Sequence, residues 1–339
     1  MNQRIIWLSA LAFMQLCVIG YVWFSVDTQE QPAAALMTFV AEEIDQIDLD
    51  DRTASVRLQR KEAGWTVQRS LSAESGSPDL MADDNKVSAL LDKLLGLQAP
   101  WPVAATDASL QRFEVAADNY QRRLALRQGD EVVAELLLGT SPGFQRVHAR
   151  RADSPEIYSV ALSNFEVGTN PDDWLAKDLL AVDGDIQRIE AVFKMPQARR
   201  DTLVLSDSGW LFNDTPASES AAQSYTERFA NLSVLGLAKP HKETDAVEVV
   251  ADIEVSHGGQ ASSYTLSRVI PAVDADDSAE AGALPQADPD YLIARRGETQ
   301  QFRVSTYIAE QLLMTDVDFT EVAAPEPLNL APAAEQGGS

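Results

Sequence analysis

Apolar and polar positions alternate at the two-residue period of a half-buried strand over much of the chain, and shift to helical spacing in only a few places. Ile44, Ile47 and Leu49 begin a strand. Residues 54–60 alternate apolar and polar as far as Gln59, Glu62-Ala63-Gly64 turn the chain, and Trp65 to Arg69 return, which predicts a hairpin. The Ser/Gly/Pro-rich stretch 70–79 reads as a loop. Val87, Leu90, Leu91, Leu94 and Leu95 then recur at helical spacing behind Asp83 and Asp84, either of which can cap, with Gly96 and Pro100 as stop signals. Gln121 to Arg127 and Glu131 to Leu138 predict another hairpin across Gly129-Asp130. Strands follow at Arg146 to Arg151 and Glu156 to Val160, then a helical piece at Leu162 to Val167 and a turn at Trp174.

The same order of elements returns. Ile186 to Phe193 predicts a strand, Thr202 to Leu205 and Trp210 to Phe212 a hairpin around Gly209, and Ala222, Tyr225, Phe229 and Leu232 one face of a helix that starts at Ser218 or Glu219. Val247 to Val255 and Tyr264 to Ile270 flank His257-Gly258-Gly259; Tyr291 to Arg296 and Gln301 to Val304 form the last hairpin, and Thr306 to Met314 a short helix. Short motifs repeat with it. Gly64-Trp65 recurs as Gly209-Trp210 and Ala149-Arg150-Arg151 as Ala294-Arg295-Arg296, both 145 residues later; Leu95-Gly96-Leu97 recurs as Leu235-Gly236-Leu237, 140 later. The expected fold class is therefore α+β: an N-terminal transmembrane helix, then two similar units of antiparallel sheet with packed helices, an internal duplication. Residues 41–182 make the first unit and 183–321 the second, with polar Asp183-Gly184-Asp185 at the boundary. The Ala/Pro/Glu-rich tail 322–339 reads as disordered.

The N-terminus breaks the pattern. Ile5 to Phe24 is 20 residues without a charge, about 30 Å as a helix and enough to span a bilayer. Arg4 precedes it and Asp27 and Glu30 follow, so the positive-inside bias keeps the N-terminus in the cytoplasm and sends the rest outward. Trp7, Tyr21 and Trp23 stand where interfacial aromatic belts form. The run exceeds a signal-peptide core and no small-x-small site follows closely; a lipoprotein would need a small residue where Leu16 precedes Cys17. Residues 1–25 are thus expected to be an uncleaved anchor and 26–40 a tether. The chain belongs on this reading in the inner (cytoplasmic) membrane as a single-pass protein with a periplasmic or extracytoplasmic C-terminal region.

Charge narrows the partners. The net charge of −25 repels nucleic acid and anionic headgroups, so nucleic-acid binding is set aside. Cys17 is the one cysteine and lies in the apolar run, leaving the remainder without disulfide or cysteine metal site.

Catalytic signatures are scarce. The three histidines, His148, His241 and His257, have no metal-like spacing, and no GxSxG, GxxxxGK[ST] or GxGxxG occurs. Asp274, Asp276, Asp277 and Glu280 lack the glycine and terminal glutamate of an EF-hand loop and read as a solvated acidic loop within 271–289. Trp65 and Trp210 read as core anchors rather than sugar platforms, because they occupy matching places. Arg150-Arg151 and Arg295-Arg296 have an anion-binding reading and a blander one, pairing with the abundant carboxylates. No catalytic, cofactor-binding or metal residue is nominated, and a non-enzymatic protein is expected.

The anchor, the Gly-Trp hairpin, the Leu-Gly-Leu helix end, Leu138-Gly139, and Asp173-Trp174-Leu175 with Leu179-Leu180 before Ile186-Gln187-Arg188-Ile189 together resemble the bacterial domain-of-unknown-function family DUF4340. The resemblance covers nearly the whole chain after the anchor. It carries no established catalytic residues. Some members of that family resemble accessory components encoded beside ABC-type transporters, including ones linked to gliding motility. The resemblance therefore implies a non-enzymatic accessory or scaffold protein of a cell-envelope membrane complex, plausibly beside an ABC-type transporter. The alternative is an extracytoplasmic binding module for an envelope ligand, glycan or peptide. Exposed strand edges are the expected docking mode.

Overall fold

In the computed structural model, residues 7, 13–16, 18, 21, 34–69, 79–195, 197–242, 245–271, 290–313 and 319 are described. Most of the expected anchor, the acidic loop 272–289 and the tail 322–339 lie outside them. The described positions of the anchor run, Trp7, Phe13 to Leu16, Val18 and Tyr21, are helical and exposed. Among the described residues no helix is long and apolar enough to cross a membrane.

The chain divides into two units, 1–175 and 176–339. The first contains β1 (Ala34–Ala35), β2 (Gln46–Asp50), β3 (Ser55–Lys61), β4 (Gly64–Arg69), β5 (Leu80–Met81), α1 (Asp84–Leu95), β6 (Gln98–Ala99), α2 (Asp107–Arg112), β7 (Val115–Ala116), β8 (Asn119–Tyr120), β9 (Arg122–Gln128), β10 (Glu131–Leu138), β11 (Val147–Arg151) and β12 (Ile157–Val160). Its main sheet is antiparallel, in the order β12-β11-β10-β9-β2-β3-β4-β5. Ile47, Leu49, Val56, Leu58, Leu124 and Leu126 alternate onto one face of the central strands and are fully buried. On the other face Asp48 accepts from Arg57 and Arg127, both at 2.9 Å, and ties β3 and β9 to the strand between them.

The second unit contains β13 (Ile186–Phe193), β14 (Arg199–Ser206), β15 (Gly209–Phe212), β16 (Thr215–Pro216), α3 (Glu219–Ala230), β17 (Gly236–Leu237), β18 (Ala246–His257), β19 (Gln260–Ile270), β20 (Asp290–Arg295), β21 (Phe302–Val304) and α4 (Thr306–Gln311). Its sheet runs β16-β15-β14-β13-β18-β19-β20-β21-β17. The connectivity repeats that of the first unit. Four strands meander outward, a 12-residue helix follows, the chain returns to pair beside the first strand, and a second meander runs to the other edge. The Gly-Trp hairpins occupy equivalent places, β3–β4 and β14–β15. Trp65 and Trp210 are 4% and 7% exposed, so both are core residues. Gly64 and Gly209 both hold positive φ, 129° and 112°, a region a side chain would strain. In the first unit the hairpin is also tied to the helix. Asp83 caps α1 through the Lys86 amide, and Asp84 accepts from the Trp65 amide at 2.7 Å.

Several expectations are corrected. The two expected units of antiparallel sheet are present, and the molecule is mostly β with few helices: each large sheet has a single 12-residue helix and the other two described α-helices have six residues. Leu162 to Val167 forms turns, not a helix; Leu162 and Val167 point into the core from an irregular segment. The tether expected over 26–40 is partly folded. Ala34–Ala35 pairs with Gln98–Ala99, the Leu36 amide donates to the Leu97 carbonyl, and Leu36 and Met37 are buried. The units divide ahead of the expected 182/183 boundary because residues 177–182 are held by the second unit. The Val182 amide donates to the Phe229 carbonyl, the Val234 amide to that of Lys177, and the Tyr264 hydroxyl to that of Leu180.

The edges differ from expectation too. Both sheets end largely in two-residue strands, β5, β16 and β17, and β12 is covered by an Ala104–Ile157 bridge. Short or covered edges leave little backbone for an added strand.

Candidate functional site

The hairpin loop joining β10 to β11 and the turn after β12 enclose a groove of about 480 Å³ in the first unit. Phe144 and Phe165 line it at 88% and 94% exposure. Single exposed apolar residues are ordinary, but two phenylalanines flanking one groove form a surface that gains from being covered.

The loops carrying them are held in place. The Ser141 hydroxyl lies 2.7 and 2.6 Å from the Gly143 and Arg146 carbonyls. Arg146 donates through Nε to the Ser159 hydroxyl at 3.0 Å and through Nη2 to the Ser159 carbonyl. Asn164 Nδ2 donates to Gln121 Oε1 at 2.6 Å and to the Gly139 carbonyl at 3.1 Å. Glu166 accepts from the Ser163 amide and pairs with Lys93 at 3.0 Å. Rings on such loops are presented without a large ordering cost on docking.

Among the described residues, two buried polar atoms of wall residues have no hydrogen-bond partner. They are Arg122 Nε and Asn164 Oδ1, both buried in residues that line the groove. Buried polar atoms are nearly always satisfied, so each exception calls for a reason. One is a donor and the other an acceptor, the complement of a peptide group. Beneath the groove, burial pushes the His148 imidazole below its ordinary pKa, against a hydrogen bond with the Thr140 carbonyl that raises it. His148 packs as a structural residue, its ring centroid 4.3 Å from that of Phe113 and tilted by 48°.

The second unit has a polar pocket of about 680 Å³ where β18, β19 and β20 meet the segment 181–183. His257, Ser262, Arg295, Arg296, Asp183 and Glu298 line it. His257 Nδ1 is 2.7 Å from the Asp183 carbonyl and Nε2 is 3.0 Å from the Ser262 hydroxyl. A carbonyl can only accept, so in the neutral ring Nδ1 carries the proton and Ser262 donates to Nε2. This is the order of nucleophile, base and orienting group. The orienting group is uncharged, however, and supplies none of the imidazolium stabilisation that a buried carboxylate gives.

The arginine pairs fare differently in the two units. Arg150 is buried, donating through Nε to the Val115 carbonyl at 2.7 Å and through Nη1 to the carbonyls of Arg151, Ala152 and Ser154. Arg151 pairs with Asp153. Arg295 Nη2 donates to the Leu179 carbonyl at 3.2 Å, but its Nε is buried without a partner. Arg296 lies 3.5 Å from Asp252 and is exposed. Backbone carbonyls thus take most of what carboxylates were expected to accept. His241 is exposed, and among the described residues no group of three potential ligands gathers for a metal. The Phe144–Phe165 groove is not legible in the sequence: Phe165 falls in the stretch that reads as a helical piece, Phe144 in a loop, and their juxtaposition arises only when two loops meet.

Fold and groove together define a protein of two like-connected antiparallel sheets, with a groove flanked by two exposed phenylalanines in the first unit. The family described as Domain of unknown function (DUF4340) matches residues 75–250, from before β5 into β18, and the chain belongs to that family. No curated protein and no solved structure matches.

Proposed function

We propose that this chain is a non-enzymatic accessory or scaffold protein of a cell-envelope membrane complex, working beside an ABC-type transporter. Ile5 to Phe24 anchors it in the inner membrane and the two sheets lie on the extracytoplasmic side. The observation that carries the reading is the groove with Phe144 and Phe165 exposed on braced loops above an unpartnered donor, Arg122 Nε, and an unpartnered acceptor, Asn164 Oδ1. An extended partner segment meets both needs. Its apolar side chains cover the rings, at about 1.5–3 kcal/mol for each large side chain fully buried, and its peptide groups offer the acceptor and the donor that the two polar atoms lack. The helical, exposed apolar positions of the anchor run support membrane attachment.

The test is purification of the full chain in mild detergent. A transporter subunit co-purifies at fixed stoichiometry, and the double substitution Phe144→Ser/Phe165→Ser lowers its yield at least about tenfold, as expected when central aromatic anchors are lost. Removing residues 1–25 releases the chain from the membrane fraction. Full retention of the subunit by the double variant, with an unchanged melting temperature, rules the groove out.

A second reading, an extracytoplasmic binding module, is favoured by one observation, the polar pocket of the second unit.

A further inference from the structure

We infer that this second-unit pocket binds a carboxylate-bearing ligand through Arg295 and Arg296. The inference is independent of the groove in the first unit, and neither depends on the other's outcome.

Among the described residues the buried Arg295 Nε has no hydrogen-bond partner, while Nη2 donates to the Leu179 carbonyl and the guanidinium stands beside the Tyr264 hydroxyl. A guanidinium always carries its charge, and leaving one of its buried N–H groups unpaired costs about 1–3 kcal/mol or more. An oxygen acceptor in the pocket removes that cost. Arg296 adds a second guanidinium whose one contact with Asp252, at 3.5 Å, is long for an ion pair. Asp252 is itself served elsewhere, by Lys194 at 2.8 Å and the Thr265 hydroxyl at 2.8 Å, so Arg296 can turn to a ligand without stranding it.

The rest of the wall selects among anions. Asp183 and Glu298 line the same pocket and repel a group of higher charge. A singly charged carboxylate is therefore favoured over a phosphate dianion. With a neutral His257 ring the Ser262 hydroxyl donates its hydrogen bond to Nε2, so the serine oxygen offers the ligand acceptor lone pairs. A ligand with hydroxyl or amide N–H groups beside its carboxylate fits both features. Peptide C-termini and acidic sugars share that chemistry.

The experiment is calorimetric titration of the detergent-solubilised full chain with N-acetyl-alanyl-alanine, glucuronate and inorganic phosphate. At least one carboxylate probe is expected to bind saturably and more tightly than phosphate; the tighter of the two tells a peptide terminus from an acidic sugar. Arg295→Gln weakens it at least about tenfold, and Arg151→Gln, on the matching strand of the first unit, leaves it unchanged. Should Arg295→Gln misfold, the exposed Arg296→Glu gives the same loss in a folded protein. Absence of saturable binding by both carboxylates, tighter binding of phosphate, or unchanged affinity in a folded Arg295→Gln or Arg296→Glu protein overturns the inference. So does turnover of an ester substrate that Ser262→Ala abolishes, because the site would then be catalytic.

Discussion

Arg150 and Arg295 stand 145 residues apart at one place in a repeated connectivity, yet one is a structural bolt and the other is left unfinished. Arg150 pairs across the sheet with Leu137, on the face covered by Val115, Tyr120 and Ile157, and the carbonyls of that cover and of the turn after β11 take up its N–H groups. Arg295 pairs with Tyr264, whose ring lies 6.3 Å from Phe229 of α3, and the segment 179–183 offers it the Leu179 carbonyl. Side chains alternate across a strand, so one residue of register decides which arginine of a pair meets which surroundings. The same Ala-Arg-Arg motif therefore closes one unit and opens a polar pocket in the other. A repeated motif implies a repeated backbone position; it does not imply a repeated role.

The largest test of this comparison removes its shared part. Trp65→Ala and Trp210→Ala each empty a buried site, at about 3–5 kcal/mol. If the units are separate folding bodies, calorimetry will show two transitions, with each substitution lowering one of them by several degrees. A single transition lowered alike by both variants would merge the units into one.

A smaller effect belongs to the first unit alone. A Cβ on Gly139 would stand 1.9 Å from the Phe113 carbonyl oxygen and 2.5 Å from that of Glu114, backbone atoms that cannot rotate aside. Gly139→Ala is expected to cost about 3 kcal/mol, the upper end of ordinary overpacking. It should also weaken partner capture, because the Gly139 carbonyl holds Asn164 at the groove. The second-unit transition should not move.

Acid gives the finest contrast. Burial alone would raise the Asp51 carboxyl pKa, but the Thr53 and Thr169 hydroxyls and the Ala54 and Thr53 amides hold it far below the usual carboxylate range. Burial works the same way on Asp252 of the second unit, outweighed there by Lys194, Thr265 and Arg296. A depressed folded pKa contributes stability that is full above the unfolded value of about 3.9 and is lost as pH falls toward the folded one. Melting temperatures followed from pH 5 down to about pH 2 should therefore fall for both units. Asp51→Asn should flatten that fall in the first unit only; an equal slope in the variant would show that other carboxylates carry it.

How much was legible follows from the range of each interaction. The Gly64 and Gly209 hairpins, α1 with its Asp83 cap, and the burial of Trp65 and Trp210 are written in spacings a few residues long, and the structure has them. The short motifs at a common offset announce like-built units, and the two sheets share their strand order apart from β17, an added edge strand in the second. Leu36 and Met37 fall in the stretch that reads as a tether, because nothing local shows that Leu97 will pair beside them. Leu162 and Val167 mimic a helical period while serving as core plugs in an irregular turn.

What the sequence determined by itself is the plan: alternating strands, a helix after each meander, glycines where φ must be positive, an apolar first run and family membership. Local sterics and the two periodicities encode these over short spans. The tertiary structure decided which polar atoms were left without partners. Arg122, Asn164 and Arg295 look like any other polar residues in the chain, and only the packing of distant loops and strands took the water from one atom of each without supplying a replacement.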